Sequence, residues 1–215
     1  MTRRSFDKAS EASPLHLVSA FAADTRLVLG QIAVDEKSNE ITAMPKLIDM
    51  LTLRGRVVTA DALNCQREIA QKIGDKEADY ALALKVNQGT LHADVPALLY
   101  DPETPREVLG TTDGDHGRIE LRTASVSTDI DWLQEAHDWP GLKAVGEIVS
   151  RRTSGREISS ETQYYLLSSA FPSARFNDIV RSHWAIENSL QSCSTSLLAR
   201  TTSATAWTTA RKTSP

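Results

Sequence analysis

A chain of 215 residues with 40% hydrophobic content is long enough for one substantial core, and no composition shift demands a second domain. A formal net charge of -4 excludes a uniformly basic nucleic-acid binder, so any such contact must come from local patches: Arg3 with Arg4, Arg151 with Arg152, or the stretch 175–183. Cys65 and Cys193 are too few for a disulfide framework and sit in no zinc-type spacing, and neither an apolar leader in MTRRSFDKASEASP nor a membrane-length apolar run occurs, so a soluble cytoplasmic protein with no membrane partner is expected.

In chain order, HLVSAFAA (16–23) and RLVLGQIAV (26–34) are β-rich runs separated by Asp24-Thr25, which predicts a hairpin of two antiparallel strands. In NEITAMPKLIDMLTLRG, Ile41, Met44, Leu47, Ile48 and Leu51 recur at helical spacing, with Asn39 as N-cap and Gly55 as stop. RVVTADAL (56–63) predicts a short apolar strand ending in an acid, CQREIAQKIGDK a helix, and DYALALKV a second strand. A strand-helix-strand unit of this kind pairs its strands in parallel. Thr90 caps a helix running through Leu99, and DPETP is a surface loop. RIELRTASVS, KAVGEIVSRR and TQYYLLSS predict three strands, with a Trp-containing turn, DIDWLQEAHDWPGL, between the first two. A last helix starts near Pro172 and keeps its periodicity to Leu190. The Ser-, Thr- and Ala-dominated stretch that follows, 191–215, has no clear apolar face and predicts a disordered tail. The whole reads as one α/β domain.

Four places carry residues suited to chemistry. Asp61 stands at the carboxyl end of a buried-type strand, where α/β sheets present functional groups; a helix cap or loop acid is the alternative. Glu187 lies in RSHWAIENSL among Arg181, His183 and Trp184, and His183 shares its helix face at i and i+4; a plain surface glutamate is the alternative. Neither a zinc motif nor a catalytic triad follows from these residues. Lys85, Asn87, Gln88 and His92 form a polar group after a strand, fit either to hold phosphate oxygens or to make a solvated turn. Cys65 begins a helix, where the dipole favours thiolate, but no histidine is near in sequence and a small buried side chain is the simpler reading.

Taken together, RRSFDKASEASPLHLVSAFA, LVLGQIAVDEKSNEITAMPKLIDML, VVTADALNCQREIAQKI, DYALALKVNQGTLH, HGRIELRT, DIDWLQEAHDWPGLKAVG and VRSHWAIENSL resemble, in order from Arg3 to Leu190, the ISAs1-type (H-repeat-associated) insertion-sequence transposases. The resemblance implies an RNase H-like mixed sheet flanked by helices, with three carboxylates binding two divalent ions, Mg²⁺ or Mn²⁺ in its place. It also implies metal-dependent cleavage and transfer of DNA strands at insertion-sequence ends and target. By this resemblance Asp61 matches the second acid of the triad and Glu187 the third, while Arg181, His183 and Trp184 position DNA or brace the helix. The DNA-facing group is then Lys85, Asn87, Gln88, His92, Arg181, His183 and Trp184.

The first acid of the family's triad ends a D-G-K-T-like strand ahead of the segment matching RRSFD, and no such strand precedes Arg3 here; Asp7 ends no apolar strand and is no substitute. After Leu190 the family pattern continues as HWVLDVTFGEDDSR and later HGPENFA, where this chain has QSCSTSLLAR and onward. Shifting the reading frame of permitted synonymous codons turns 192–196 into V-L-D-V and 199–214 into E-D-D-I-R-D-R-M-D-H-G-P-E-N-F-A, which predicts a frameshift near Gln191. The expectation is a partial catalytic domain over 1–190 with a shifted tail over 191–215, lacking its first catalytic strand and inactive in strand cleavage. The alternatives are a DNA-binding remnant that interferes with intact transposase, through self-association or association with it, and a non-functional gene product.

Overall fold

The structure is a computed structural model that describes residues 15–34, 40–115, 118–155, 157–197 and 201–211, with 15–16, 34, 40, 115, 118, 186–197 and 201–211 described by backbone alone. Alternating apolar residues build the first hairpin, β1 (Leu15–Ala22) and β2 (Leu27–Val34), paired antiparallel as the sequence predicts. Its turn takes four residues, and Arg26 adopts φ 55. The helix α1 (Glu40–Met50) ends well before Gly55, and the predicted cap Asn39 lies outside the described residues.

The crossover unit follows as β3 (Arg56–Ala60), α2 (Arg67–Asp75) and β4 (Asp79–Leu84), with β3 and β4 parallel. α2 buries Ile69, Ala70 and Ile73. That spacing of 69, 70 and 73 is one helical stripe, so its burial fixes which way the crossover packs. α3 (Thr90–Tyr100) starts one residue earlier than a Thr90 cap requires: Gly89 is the N-cap, at φ 57, and Thr90 is already helical. A left-handed cap suits glycine and strains a β-branched residue.

Beyond the predicted loop at 101–105, a strand absent from the sequence reading, β5 (Glu107–Asp115), pairs with β6 (Arg118–Ser127). The expected Trp-containing turn is a short helix, α4 (Asp131–His137), which buries Leu133. The strands β7 (Ala144–Ser154) and β8 (Glu157–Leu167) complete an antiparallel run. α5 (Ser173–Leu197) continues past Leu190, and three residues later the backbone forms β9 (Thr201–Arg211), although the composition of 191–215 predicts no ordered element.

The described strands make one mixed nine-stranded sheet in the order β2-β1-β9-β3-β4-β8-β7-β6-β5. β9 lies parallel to β1 and antiparallel to β3. Without it, β1 and β3 would each expose a row of unpaired backbone groups. An extended Thr-rich segment satisfies both rows whatever its side chains. Two apolar clusters sandwich the sheet. Met44, Leu47, Ile69, Ile73, Val95, Leu98 and Trp139 pack with Val58, Tyr80 and Leu82 on the face of α1 to α4. Phe176, Ile179 and Val180 of α5 pack with Val57, Ala81, Ala124 and Ile148 on the other. No helix is long and apolar enough to cross a membrane among the described residues.

Candidate functional site

Strand alternation decides what β3 offers to each side. Val58 and Ala60 enter the core beneath α1 to α4, whereas Val57 joins the α5 cluster. Thr59 is therefore turned toward α5, and Asp61, whose backbone is still extended at φ -69 and ψ 173, continues that alternation past the end of the strand. The Asp61 carboxylate caps the 3₁₀ turn Ala62–Asn64: Oδ1 accepts from the Asn64 backbone N–H at 3.3 Å and from Asn64 Nδ2 at 3.0 Å. Oδ2 makes no hydrogen bond among the described residues. Capping thus engages only Oδ1 among the described residues.

His183, on α5, is buried and pairs through Nδ1 with Thr59 Oγ1 at 3.0 Å. Burial pushes its pKa down to about 4, an effect that the Asp61 carboxylate opposes. The imidazole is neutral at physiological pH and turned into the protein, tying α5 to β3. Trp184 is partly exposed and meets the His183 ring edge-on, with centroids 6.2 Å apart.

The topology places Glu187 relative to this tie. β9 is antiparallel to β3, so it begins beyond the carboxyl end of β3, and α5 ends only three residues before β9 starts. From His183 onward α5 therefore advances in the direction of β3. Asp61 lies two strand residues past Thr59, and Glu187 one helical turn past His183, each roughly 6 Å further on. Two elements thus carry the two acids past the same fixed point. The Glu187 side chain lies outside the described residues.

The remaining predicted residues are spread over different duties. Asn87 donates Nδ2 to the Ala62 carbonyl at 2.9 Å, and Gln88 donates Nε2 to the Cys65 carbonyl. Both amides buttress the turn behind Asp61. Lys85 is exposed at the end of β4. His92, half-buried, meets the Tyr164 ring edge-on at 6.1 Å. Arg181 is ion-paired to Asp113 of β5. Cys65 is fully buried, and desolvation, with the Asp61 charge behind it, pushes its thiol up to about 12, so it packs as an apolar side chain and not as a thiolate. Sequence reasoning missed Thr59, Asn64 and the supporting role of Asn87 and Gln88. The position of Thr59 two residues before Asp61 was the available signal.

Among the described residues no three His, Cys, Asp or Glu side chains gather to hold a metal. What the described residues offer a divalent cation is the Asp61 carboxylate, whose Oδ2 makes no hydrogen bond among them, a hard oxygen donor that suits such an ion as one ligand of several.

The transposase DDE domain family matches residues 2–212. The chain is 41% identical over 170 residues to "Uncharacterized protein in dhlA 3'region" of Xanthobacter autotrophicus, covering 78% of this chain and 57% of that protein. It is 38% identical over 200 residues to "Putative transposase YncI" of Escherichia coli O157:H7, covering 87% and 50%. With "H repeat-associated putative transposase YhhI" of Escherichia coli strain K12 it shares 36% identity over 201 residues, covering 87% and 52%. The chain spans about half the length of the curated relatives it matches. No solved structure matches it at a significant level. An acid at the end of β3, a helix advancing past it and a match over almost the whole chain agree: this protein belongs to the transposase DDE-domain family.

Proposed function

We propose that the chain is part of the catalytic domain of an ISAs1-type insertion-sequence transposase with an RNase H-like sheet, whose substrate is DNA at the insertion ends and target. The observation that supports this reading is the shared advance of β3 and α5 past the Thr59–His183 contact, by which Asp61 and Glu187 would share one end of the sheet. In this reading Asp61 and Glu187 are two of three acids that hold divalent ions, Mg²⁺ or Mn²⁺. Such ions, when bound in pairs, activate an attacking oxygen and stabilise a leaving one in phosphodiester displacement. The residues themselves orient the acids: Asn64 fixes one Asp61 oxygen, and Asn87 and Gln88 hold the loop from which it projects. Exposed Lys85 beside this edge supplies positive charge for a phosphate.

A site of two acids alone lacks the charge needed to hold two cations, so strand cleavage requires a third carboxylate beside Asp61 and Glu187. With these two acids alone, strand cleavage is not expected. β9 then occupies the sheet slot beside β3 without bringing an acid there: 201–211 contains neither Asp nor Glu. The test is to incubate the purified chain with Mg²⁺ or Mn²⁺ and an insertion-end duplex. No nicking is expected. Robust nicking that Asp61→Ala abolishes would overturn the inactivity while supporting the site.

A further inference from the structure

We propose that His183 and Thr59 form a latch that sets the distance between Asp61 and Glu187, making both positioning residues for divalent-cation binding. The inference deepens the reading of Asp61 and Glu187 as cation ligands and rests on it.

The contact joins residues 124 apart in sequence, and both partners are buried, Thr59 at 4% and His183 at 7% exposure. The apolar cluster on this face includes Val57 of β3 and Ile179 and Val180 of α5, and the Asp61 carboxylate is close enough to act on the imidazole. A hydroxyl and an imidazole placed in such a layer cost desolvation that a pair of aliphatic side chains would avoid. Apolar packing fixes how close α5 lies to the sheet but leaves it free to slide along its axis, because methyl groups tolerate small displacements. A hydrogen bond of 3.0 Å between two groups with few rotamers removes that freedom. It sits one turn from Glu187 and two residues from Asp61, the place where a slide would most change the separation of the acids. Cation ligands need their supporting hydrogen bonds for the same reason: loss of such a bond typically weakens metal binding by about 10- to 100-fold.

The identity of the bonded atom gives a specific chemical signature. Nδ1 of histidine is reproduced in reach and polarity by the side-chain amide of asparagine, and not by that of glutamine, which corresponds to Nε2. The test measures Mn²⁺ affinity of the full chain by the loss of the free-ion paramagnetic resonance signal. The set is wild type, Asp61→Ala, Thr59→Val, His183→Leu, His183→Asn and His183→Gln, each checked for cooperative unfolding.

Wild type should bind Mn²⁺ and D61A should lose binding. T59V, H183L and H183Q should each weaken binding about 10-fold or more, and H183N should return to within about 3-fold of wild type. If T59V and H183L bind as wild type does, the latch is overturned while the site stands. If wild type binds no better than D61A, the reading of Asp61 as a ligand fails first and the latch falls with it. Should H183L fail to fold, T59V, which only exchanges a hydroxyl for a methyl, decides the matter.

Discussion

Above pH 6.5 the His183 imidazole is neutral in both the folded and the unfolded chain, and its burial has no proton linkage. Below that value the unfolded chain takes up a proton that the folded chain refuses until about pH 4. Stability therefore falls as pH drops through this window, by roughly 3 kcal/mol at most for a shift of this size. Urea unfolding at pH 7 and pH 4.5 checks it: wild type should lose more stability on acidification than His183→Asn, and equal losses would count against a buried neutral imidazole. A second residue-scale outcome concerns the packing of α5. A Cβ added at Gly146 would meet the Phe176 ring at 2.6 to 3.1 Å, and that ring is completely buried. Gly146→Ala should cost about 1–3 kcal/mol in thermal or chemical unfolding. At this scale the sequence was legible in Asp61 and Cys65, whose neighbours in the chain define their surroundings. It was not legible in Thr59, because its partner comes from the far end of the chain, nor in Asn87 and Gln88, whose amides answer carbonyls of another loop.

The elements that patterning predicted are those whose apolar residues stand out sharply from their flanks. β3 and β4 are short apolar runs bounded by charge, and α2 carries a single apolar stripe, so their parallel unit could be read directly. β5 was missed because EVLGTTDGD is an edge strand with two glycines and few apolar residues, and edge strands are polar for reasons of solubility that hide their periodicity. α4 was read as a turn because seven residues make only two turns of helix. β9 follows from a demand of the sheet: two open backbone edges, on β1 and β3, accept an extended segment with no apolar face of its own. Hydrogen exchange followed by mass spectrometry tests this element. Amides of 201–211 should exchange as slowly as those of β3; exchange at the rate of an unstructured peptide would remove β9 from the sheet.

Among the described residues the sheet is covered by four α-helices on one face and by α5 on the other, and α5 carries the decisive geometry. α5 is held at its start by Ser173, whose hydroxyl donates to Glu107 at 2.7 Å, through its middle by Phe176, Ile179 and Val180, and at His183 by Thr59. Its remaining turns inherit their direction from those contacts, which is why Glu187 belongs to the same end of the sheet as Asp61. In the proposed function these two acids contribute to one cation site. The most direct measurement is a Mn²⁺ titration followed by amide-resolved NMR, since a bound paramagnetic ion broadens the signals of nearby amides. The amides around Asp61 and those around Glu187 should lose intensity together at the same Mn²⁺ concentration, and Asp61→Ala should spare both. Broadening of one segment without the other would contradict it.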